Sequence, residues 1–529
     1  MTSTPPKRAI DYSLYLVTGR DLLPSGKVYS QAILGGVTVV QVREKDADTG
    51  EFLTIARATK TICDKHNIPV IINDRVDIAI AIRADGVHLG QTDMSVEVAK
   101  KLLPPTTVIG VSVNNVNQAK KAVEDGVDYV GIGAVWDTKT KKLVQPVVGV
   151  RNVGELLDVF AVGECGIKTT NLLRTLHGSV SISGYGLDGV AVVSEIVASR
   201  EPREVAKELK GIVMEFKSGL SMSNGLLFST SYLGGPVTKE NIVEGVVELM
   251  KRVRELNPLV HQITNNVVAT QSANVTLAIG GSPIMATAPQ EMEDLAKICN
   301  SFLVNIGTLT TTTQEAMMMI GQYANLQRKP VVLDPVGIGA TQYRKNTVNE
   351  LLDTWQATVI KGNAGEIAAI AGSSEVASKG VDSVGVGFKD PASAVQRLAR
   401  REKSIVVMTG PVDYISDGIT TISLHNGNEL LGKITGSGCI TGSCITTYCG
   451  VAASVPSSTG GDVPGRMVKG DMLLGAVAGI LVLTIAAELA VERGNVRGPG
   501  TFLPSLIDEL WTLDTEEVRK RAKVVLHST

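Results

Sequence analysis

At 529 residues, with 44% hydrophobic and 20% charged residues, the chain is too long for one core and ordinary for globular domains. A formal net charge of −2 leaves no basic surplus for nucleic acid, and 4% aromatic residues supply no base-stacking platform. The six cysteines form no CxxC pair, and the five-residue spacing of Cys439, Cys444 and Cys449 does not match zinc ligation.

Residues 1–11 lack the apolar stretch of a signal peptide. Free thiols of a reducing compartment are the simplest reading of the cysteines, which gives a cytoplasmic expectation. Short β-branched runs then recur at 14–18, 37–43, 69–73, 86–89, 108–113, 129–134, 159–163 and 190–194. Each is continuous rather than alternating, as in parallel strands buried on both faces. Helical patterns separate them, clearest at 51–65 and 116–125. Eight strands in strict β/α order predict a (βα)8 TIM barrel.

Polar residues collect where these strands end: Gln41, Arg43 and Lys45 on the second, Asn73 and Asp74 on the third, Asp93 past the fourth and Ser112 on the fifth. Thr138, Thr140 and Lys141 follow the sixth, Gly166 the seventh, and Ser194 ends the eighth. Active sites of such barrels lie at the C-terminal face of the strands. Two acids and two cations on one rim suit a magnesium pyrophosphate, because Mg²⁺ takes one or two carboxylates and leaves its other positions to phosphate and water. Arginine binds phosphate through its fork and lysine as a point charge. The bland alternatives are a solvated charge cluster at 43–45 and a salt bridge between Asp74 and Arg75. Gly166 and the Val193-Ser194 pair sit on the loops that often cradle a phosphate with backbone N–H groups; a plain turn is the alternative for Gly166.

The pattern degrades between 210 and 239 into small polar residues and Gly234-Gly235-Pro236, placing a boundary at 235. Two domains follow, 1–235 and 236–529. The second opens on a helix at 239–255, with strands at 259–263, 302–306, 331–333, 358–360 and 405–408 and a hairpin at 413–426 turning at Ser416-Asp417-Gly418. That layout suits a mostly parallel α/β/α sheet with an antiparallel edge. Stretches 373–391 and 452–465 read as inserted loops. The apolar run 472–487 is shorter than a bilayer span and reads as a buried helix. Thr435-Gly436-Ser437-Gly438-Cys439 precedes a small-residue helix and offers an anion hole of backbone N–H groups. It is not a Walker A loop, and a plain helix start is the alternative. Asp334-Pro335-Val336-Gly337-Ile338-Gly339 invites a Rossmann reading but lacks the third glycine.

Gln41-Val42-Arg43-Glu44-Lys45, Asn73-Asp74, Asp85-Gly86-Val87-His88-Leu89-Gly90-Gln91, Gly110-Val111-Ser112, Thr138-Lys139-Thr140-Lys141 and Val192-Val193-Ser194 together resemble thiamine phosphate synthase over about 11–210. The resemblance implies joining of aminomethylpyrimidine pyrophosphate to thiazole phosphate. Gln41, Arg43, Lys45, Asn73, Ser112 and Lys141 would hold the pyrimidine pyrophosphate, Asp74 and Asp93 Mg²⁺, and Thr138, Thr140, Gly166, Val193 and Ser194 the thiazole phosphate. Departing pyrophosphate leaves a pyrimidine-methyl cation for the thiazole nitrogen, so positioning and leaving-group stabilisation are the tasks. The chain departs from the family at Asp137, where proline is usual, and at Glu164-Cys165-Gly166-Ile167.

His261-Gln262-Ile263-Thr264-Asn265, Ser282-Pro283-Ile284-Met285-Ala286, Asn305-Ile306-Gly307-Thr308, the Asp334 loop, Lys361-Gly362-Asn363-Ala364-Gly365-Glu366, Val407-Met408-Thr409-Gly410 and the Cys439 loop resemble hydroxyethylthiazole kinase, of ribokinase-like fold, over about 240–510. The resemblance implies that Asn265, Met285 and Gly436 contact the thiazole alcohol, Lys361 and Thr409 contact ATP as co-substrate, and Asp334 and Glu366 organise Mg²⁺. Lys361 stands where arginine is frequent. Cys439 sits where wider relatives carry an aspartate base. Either its thiol is lowered by the helix N-terminus and accepts the hydroxyl proton, or it only packs at a site that needs little base.

The joint expectation is a bifunctional thiamine-biosynthesis enzyme of the fungal fusion type, acting on small molecules without nucleic-acid or membrane partners. Dimeric synthases and trimeric kinases imply a homo-oligomer, a hexamer if both symmetries persist. Three rivals differ in class. A thiazole tautomerase would lack the Gln41/Arg43/Lys45 set. A pyrimidine kinase is disfavoured by the Asn265 and Met285 stretches, and a thiamine-sensing regulator would bind without turnover.

Overall fold

The structure, a computed structural model, describes residues 6–18, 27–137, 147–158, 167–223, 237–379, 382–384, 387–454, 464–493 and 495–527. It divides into two compact units, Met1–Leu227 and Phe228–Thr529.

In the first unit the β-branched runs form seven strands: β1 (Leu14–Val17), β2 (Val39–Val42), β3 (Val70–Asn73), β4 (Gly86–Leu89), β5 (Val108–Val113), β6 (Tyr129–Ile132) and β7 (Val190–Val192). Their order is β6-β5-β4-β3-β2-β1-β7, with every neighbouring pair parallel. The strand expected at 159–163 lies outside the described residues. The sheet is curled. Tyr15 on β1 and Tyr129 on β6 have four strands between them, yet their hydroxyls are 2.9 Å apart. In a flat sheet five strand spacings would separate them by about 24 Å. The concave side is filled by Tyr15, Val17, Val39, Ile71, Val108, Tyr129 and Ala191. Gly110 on β5 makes room for the Tyr129 ring: a Cβ there would lie 2.1 Å from its Cζ.

The connecting helices start where the sequence offers caps. Asp48 accepts the Glu51 N–H ahead of helix Thr49–Lys65, and Asn115 accepts that of Gln118 ahead of Val116–Glu124. Each returns the chain to start another parallel strand, so all strand C-termini gather on one rim.

The second unit adds β8 (Leu259–Ile263), β9 (Ser282–Ile284), β10 (Ser301–Asn305), β11 (Val331–Asp334), β12 (Val359–Asn363), β13 (Ala377–Lys379), β14 (Asp382–Val384), β15 (Ile405–Thr409), β16 (Asp413–Ser416), β17 (Thr421–Leu424) and β18 (Val524–His527). Nine of these form one sheet, ordered β18-β17-β16-β15-β12-β11-β10-β8-β9. It is parallel from β15 to β9 and antiparallel from β15 to β18. The stretch 373–391, read as an inserted loop, carries the antiparallel pair β13 and β14, a two-stranded sheet of its own beside the nine-stranded one. The reading of 452–465 is corrected at its start, because helix Ser437–Ser454 runs on to Ser454, while 455–463 lie outside the described residues.

The apolar run at 472–487 forms helix Met472–Arg493. It is the one helix among the described residues long and apolar enough to cross a membrane, and 83% of that window is buried inside the unit. Helix Ser437–Ser454 packs against it through glycines. A Cβ on Gly479 would lie 2.5 Å from Ile445 Cα, and one on Gly475 3.0 Å from Cys449 Cα. That close approach holds the Gly436–Cys439 loop against the ends of the parallel strands.

Candidate active sites

At the rim of the first unit, Asn73 ends β3 and Asp74 follows with φ +62°, a left-handed conformation that non-glycine residues adopt mainly at constrained sites. The Asp74 N–H donates to the His88 carbonyl of β4 at 2.9 Å, which fixes the turn. Asp93 is held by the Gly90 N–H, which donates to Oδ2 at 2.6 Å. The two carboxyls lie side by side. Burial, then the hydrogen bond and charge of Asp93, raise the Asp74 carboxyl above its ordinary value, against Lys45. Lys45 Nζ is 3.4 Å from Asp74 Oδ2. The plain Asp74–Arg75 bridge does not form, since Arg75 pairs with Asp77 and donates to Thr49.

Beneath the rim runs a hydrogen-bonded chain across the curl. Gln41 Nε2 donates to the Tyr15 hydroxyl at 2.9 Å, and that hydroxyl meets the Tyr129 hydroxyl at 2.9 Å. Tyr129 meets His88 Nδ1 at 3.0 Å, and His88 Nε2 meets Ser112 Oγ at 2.9 Å. Five strands thus tie two expected substrate contacts, Gln41 and Ser112, into one network. Arg43 sits beside it, half-buried, its N–H donating to Thr18 Oγ1. Val193 packs on the core and Ser194 opens the short helix Ser194–Val197 rather than ending a strand. Thr138, Thr140, Lys141 and Gly166 lie outside the described residues.

In the second unit the C-terminal ends of β8, β10, β11 and β12 bring Asn265, Asn305, Asp334 and Lys361 together. Lys361 Nζ meets Asp334 Oδ1 at 3.0 Å, the two side chains 3% and 0% exposed. Asn305 Nδ2 donates to Asp334 Oδ2 at 2.7 Å and to Cys439 Sγ at 3.3 Å. Its Oδ1 accepts the Gly307 N–H at 2.9 Å and Asn265 Nδ2 at 3.2 Å. Asn265 Nδ2 also reaches Cys439 Sγ at 3.2 Å. Burial opposes the charge on Lys361, but Asp334, Glu366 and Cys439 outweigh it and hold the ammonium protonated.

The glycine loop runs directly over this pair. A Cβ on Gly438 would lie 3.2 Å from Lys361 Nζ, and Gly436 takes φ +82° with Val268 filling the space of its absent side chain. Lys361 therefore lies buried beneath this loop rather than at the surface. Glu366 accepts the Gly337 N–H at 2.9 Å and the Asn363 N–H at 2.8 Å, stitching the Asp334 loop to helix Ala364–Ala371. Burial pushes its carboxyl up to about 7, Lys361 opposing and Asp334 adding. Thr409 ends β15 beside Asn363, and Met285 follows β9 half-buried. Asp413, also pushed up to about 7 by burial, accepts the Gly410 N–H at 3.1 Å and shapes the turn after Thr409. Among the described residues no three His, Cys, Asp or Glu side chains converge as a metal cluster.

Residues 14–196 match the thiamine monophosphate synthase family and 250–516 the hydroxyethylthiazole kinase family. Over 532 residues the chain is 38% identical to the probable thiamine biosynthetic bifunctional enzyme of Schizosaccharomyces pombe, covering 97% of each. The chain belongs to the thiamine biosynthetic bifunctional enzyme family. The Saccharomyces cerevisiae thiamine biosynthetic bifunctional enzyme is 34% identical over 548 residues, with 96% of each covered. A hydroxyethylthiazole kinase of Listeria monocytogenes is 45% identical over 275 residues, which is 52% of this chain and 95% of that one.

As a member of this family the chain carries a thiamine phosphate synthase in its first half and a hydroxyethylthiazole kinase in its second. In the synthase, sequence reasoning missed Tyr15, His88 and Tyr129. Their signal was faint: polar side chains inside runs otherwise wholly apolar. In the kinase it missed Asn305 and Asp413 as organisers. The expectation of a lowered Cys439 thiol is corrected. The thiol sits third in helix Ser437–Ser454, but burial, with Asp334 adding, pushes it up against Lys361, Asn305 and Asn265. Cys439→Ala is therefore expected to slow thiazole phosphorylation most at alkaline pH, where the wild-type thiol ionises and accepts a proton. A wild-type rate still climbing beyond the ordinary thiol value of 9.0 and a variant rate that stays flat is the expected profile. Identical profiles would reduce Cys439 to packing.

Proposed function

We propose that the first unit is a (βα)8 TIM barrel that joins the pyrimidine pyrophosphate to thiazole phosphate, and that the second is a ribokinase-like domain that makes that thiazole phosphate from the alcohol and ATP. The boundary is taken at 235, giving 1–235 and 236–529. The observation that carries the reading is the adjacent Asp74–Asp93 pair with a cation, Lys45, on it. Two carboxyls held together by separate backbone contacts fit a divalent ion far better than they fit each other.

Asp74 and Asp93 would hold Mg²⁺, which would supply positive charge to the departing pyrophosphate. Arg43, Lys45, Asn73 and Lys141 grip the same leaving group, and Gln41 and Ser112, fixed by the Tyr15–Tyr129–His88 chain, orient the pyrimidine end. Thr138, Thr140, Gly166, Val193 and Ser194 hold the thiazole phosphate. In the kinase, Asn265, Met285 and Gly436 seat the alcohol and Thr409 the nucleotide. Asp334 and Glu366 would organise Mg²⁺, while Lys361, buried against Asp334, would lend its charge to the phosphate from below the glycine loop. Cys439, hydrogen-bonded by Asn265 and Asn305, would take the hydroxyl proton in its thiolate form. The free state of the five described cysteines supports a cytoplasmic setting. A hexamer combines the symmetries of the two enzyme classes, and the partners are small molecules alone.

The test uses the full chain. Given the pyrimidine pyrophosphate, thiazole alcohol and Mg²⁺, it should form thiamine phosphate only when ATP is added. Given thiazole phosphate in place of the alcohol, it should need no ATP. Product from the alcohol without ATP would overturn the division of labour.

A further inference from the structure

We infer that Lys45 is an exchangeable counter-cation: it pairs with Asp74, beside Asp93, while the diphosphate is away, so that the divalent ion enters tightly only together with the diphosphate. The inference rests on the pyrophosphate reading of this rim.

The two acids cannot relax apart. Asp74 is locked in a left-handed turn by the bond of its N–H to His88, and Asp93 by the bond of the Gly90 N–H to its carboxylate. Two facing carboxyls on a fixed backbone need a positive partner or a shared proton. Arg75, the nearest alternative in sequence, is committed to Asp77 at 2.6 Å and to Thr49 at 2.8 Å. Lys45 takes the place instead, from the neighbouring strand end, with Nζ 3.4 Å from Asp74 Oδ2.

The contact is built for exchange. The Lys45 side chain is 49% exposed and that of Asp74 23%, and so exposed an ion pair is held weakly. A flexible four-carbon stem lets the ammonium move without disturbing β2. A bare divalent ion arriving alone meets a like charge already seated on its ligands. A diphosphate changes the balance, because its oxygens offer the ammonium a new partner and complete the ion's shell at the same moment. Metal and diphosphate then bind with positive coupling, and by linkage each tightens the other equally.

The test is a titration of the full chain with Mn²⁺, read by electron paramagnetic resonance, with and without inorganic pyrophosphate. Asp74→Asn is the blank for metal held by the kinase half. Wild type should bind Mn²⁺ weakly alone and at least tenfold more tightly with pyrophosphate. Lys45→Met should move the two affinities in opposite directions: Mn²⁺ alone at least threefold tighter, pyrophosphate at fixed Mn²⁺ at least tenfold weaker. Lys45→Arg, which keeps the charge, should restore the wild-type order of binding. A merely structural lysine would weaken both when removed. Unchanged or weaker binding of Mn²⁺ alone by Lys45→Met overturns the exchange while leaving the site in place. No Asp74-dependent Mn²⁺–pyrophosphate binding in wild type overturns the site and the exchange together.

Discussion

Asp74→Asn is expected to cut thiamine phosphate formation by about 10²–10³-fold, the cost of removing one preorganised group from developing charge, and to leave thiazole phosphorylation unchanged. Asparagine is the right replacement because it tolerates the left-handed φ of +62° that alanine would strain. The same substitution should stabilise the metal-free protein at neutral pH. The Asp74 carboxyl is raised by burial and by Asp93, so ionising it costs more in the folded chain than in the unfolded one. That cost is absent below the ordinary carboxylate value of 3.8 and is complete once pH exceeds the raised value. The variant's melting temperature should therefore exceed that of wild type at pH 7 and converge with it as pH falls. Mg²⁺ added together with inorganic pyrophosphate should raise the wild-type melting temperature more than the variant's. Loss of both activities would contradict separate sites.

Lys361→Met should destabilise the kinase unit by about 3–5 kcal/mol, the usual penalty for stranding a buried charge, and abolish phosphorylation. Among the described residues no other cation pairs with Asp334, whose side chain's remaining partner is Asn305 Nδ2 at 2.7 Å. The stranded carboxyl can recover only by taking a proton, so the deficit should shrink as pH falls. Denaturant unfolding at pH 5 and pH 8 measures this. The double variant Lys361→Met with Asp334→Leu should regain much of the stability, since a well-packed apolar pair can replace a buried ion pair, yet stay inactive. Recovered activity would relegate the pair to architecture.

Most strands were legible because each is a short β-branched run buried along its length; β4, β5 and β8 begin and end where the runs do. β9 escaped because it is a three-residue edge strand containing Pro283, and β18 because four residues after a helix carry little period. The rim residues were legible since parallel topology sends every strand end to one side. The Gln41-to-Ser112 chain was not, because it exists only once curling brings β1 to β6. Lys361 was placed at the phosphate site, but its burial against Asp334 depends on the alignment of β11 with β12, where Leu333 faces Ile360. Of the two readings of Cys439, the lowered thiol is the one that burial overturned.

The last strand in chain order, β18, covers the otherwise open edge of β17. β18 becomes the edge in its turn, so on the ribosome it is β17 that waits for its partner until the stretch Val524–His527 emerges, whereas every described strand of the synthase sheet has been made by Val192. A nascent or truncated chain lacking those four residues presents a ready template for intermolecular strand pairing, so premature stops near the end should yield inclusion bodies rather than a half-active protein.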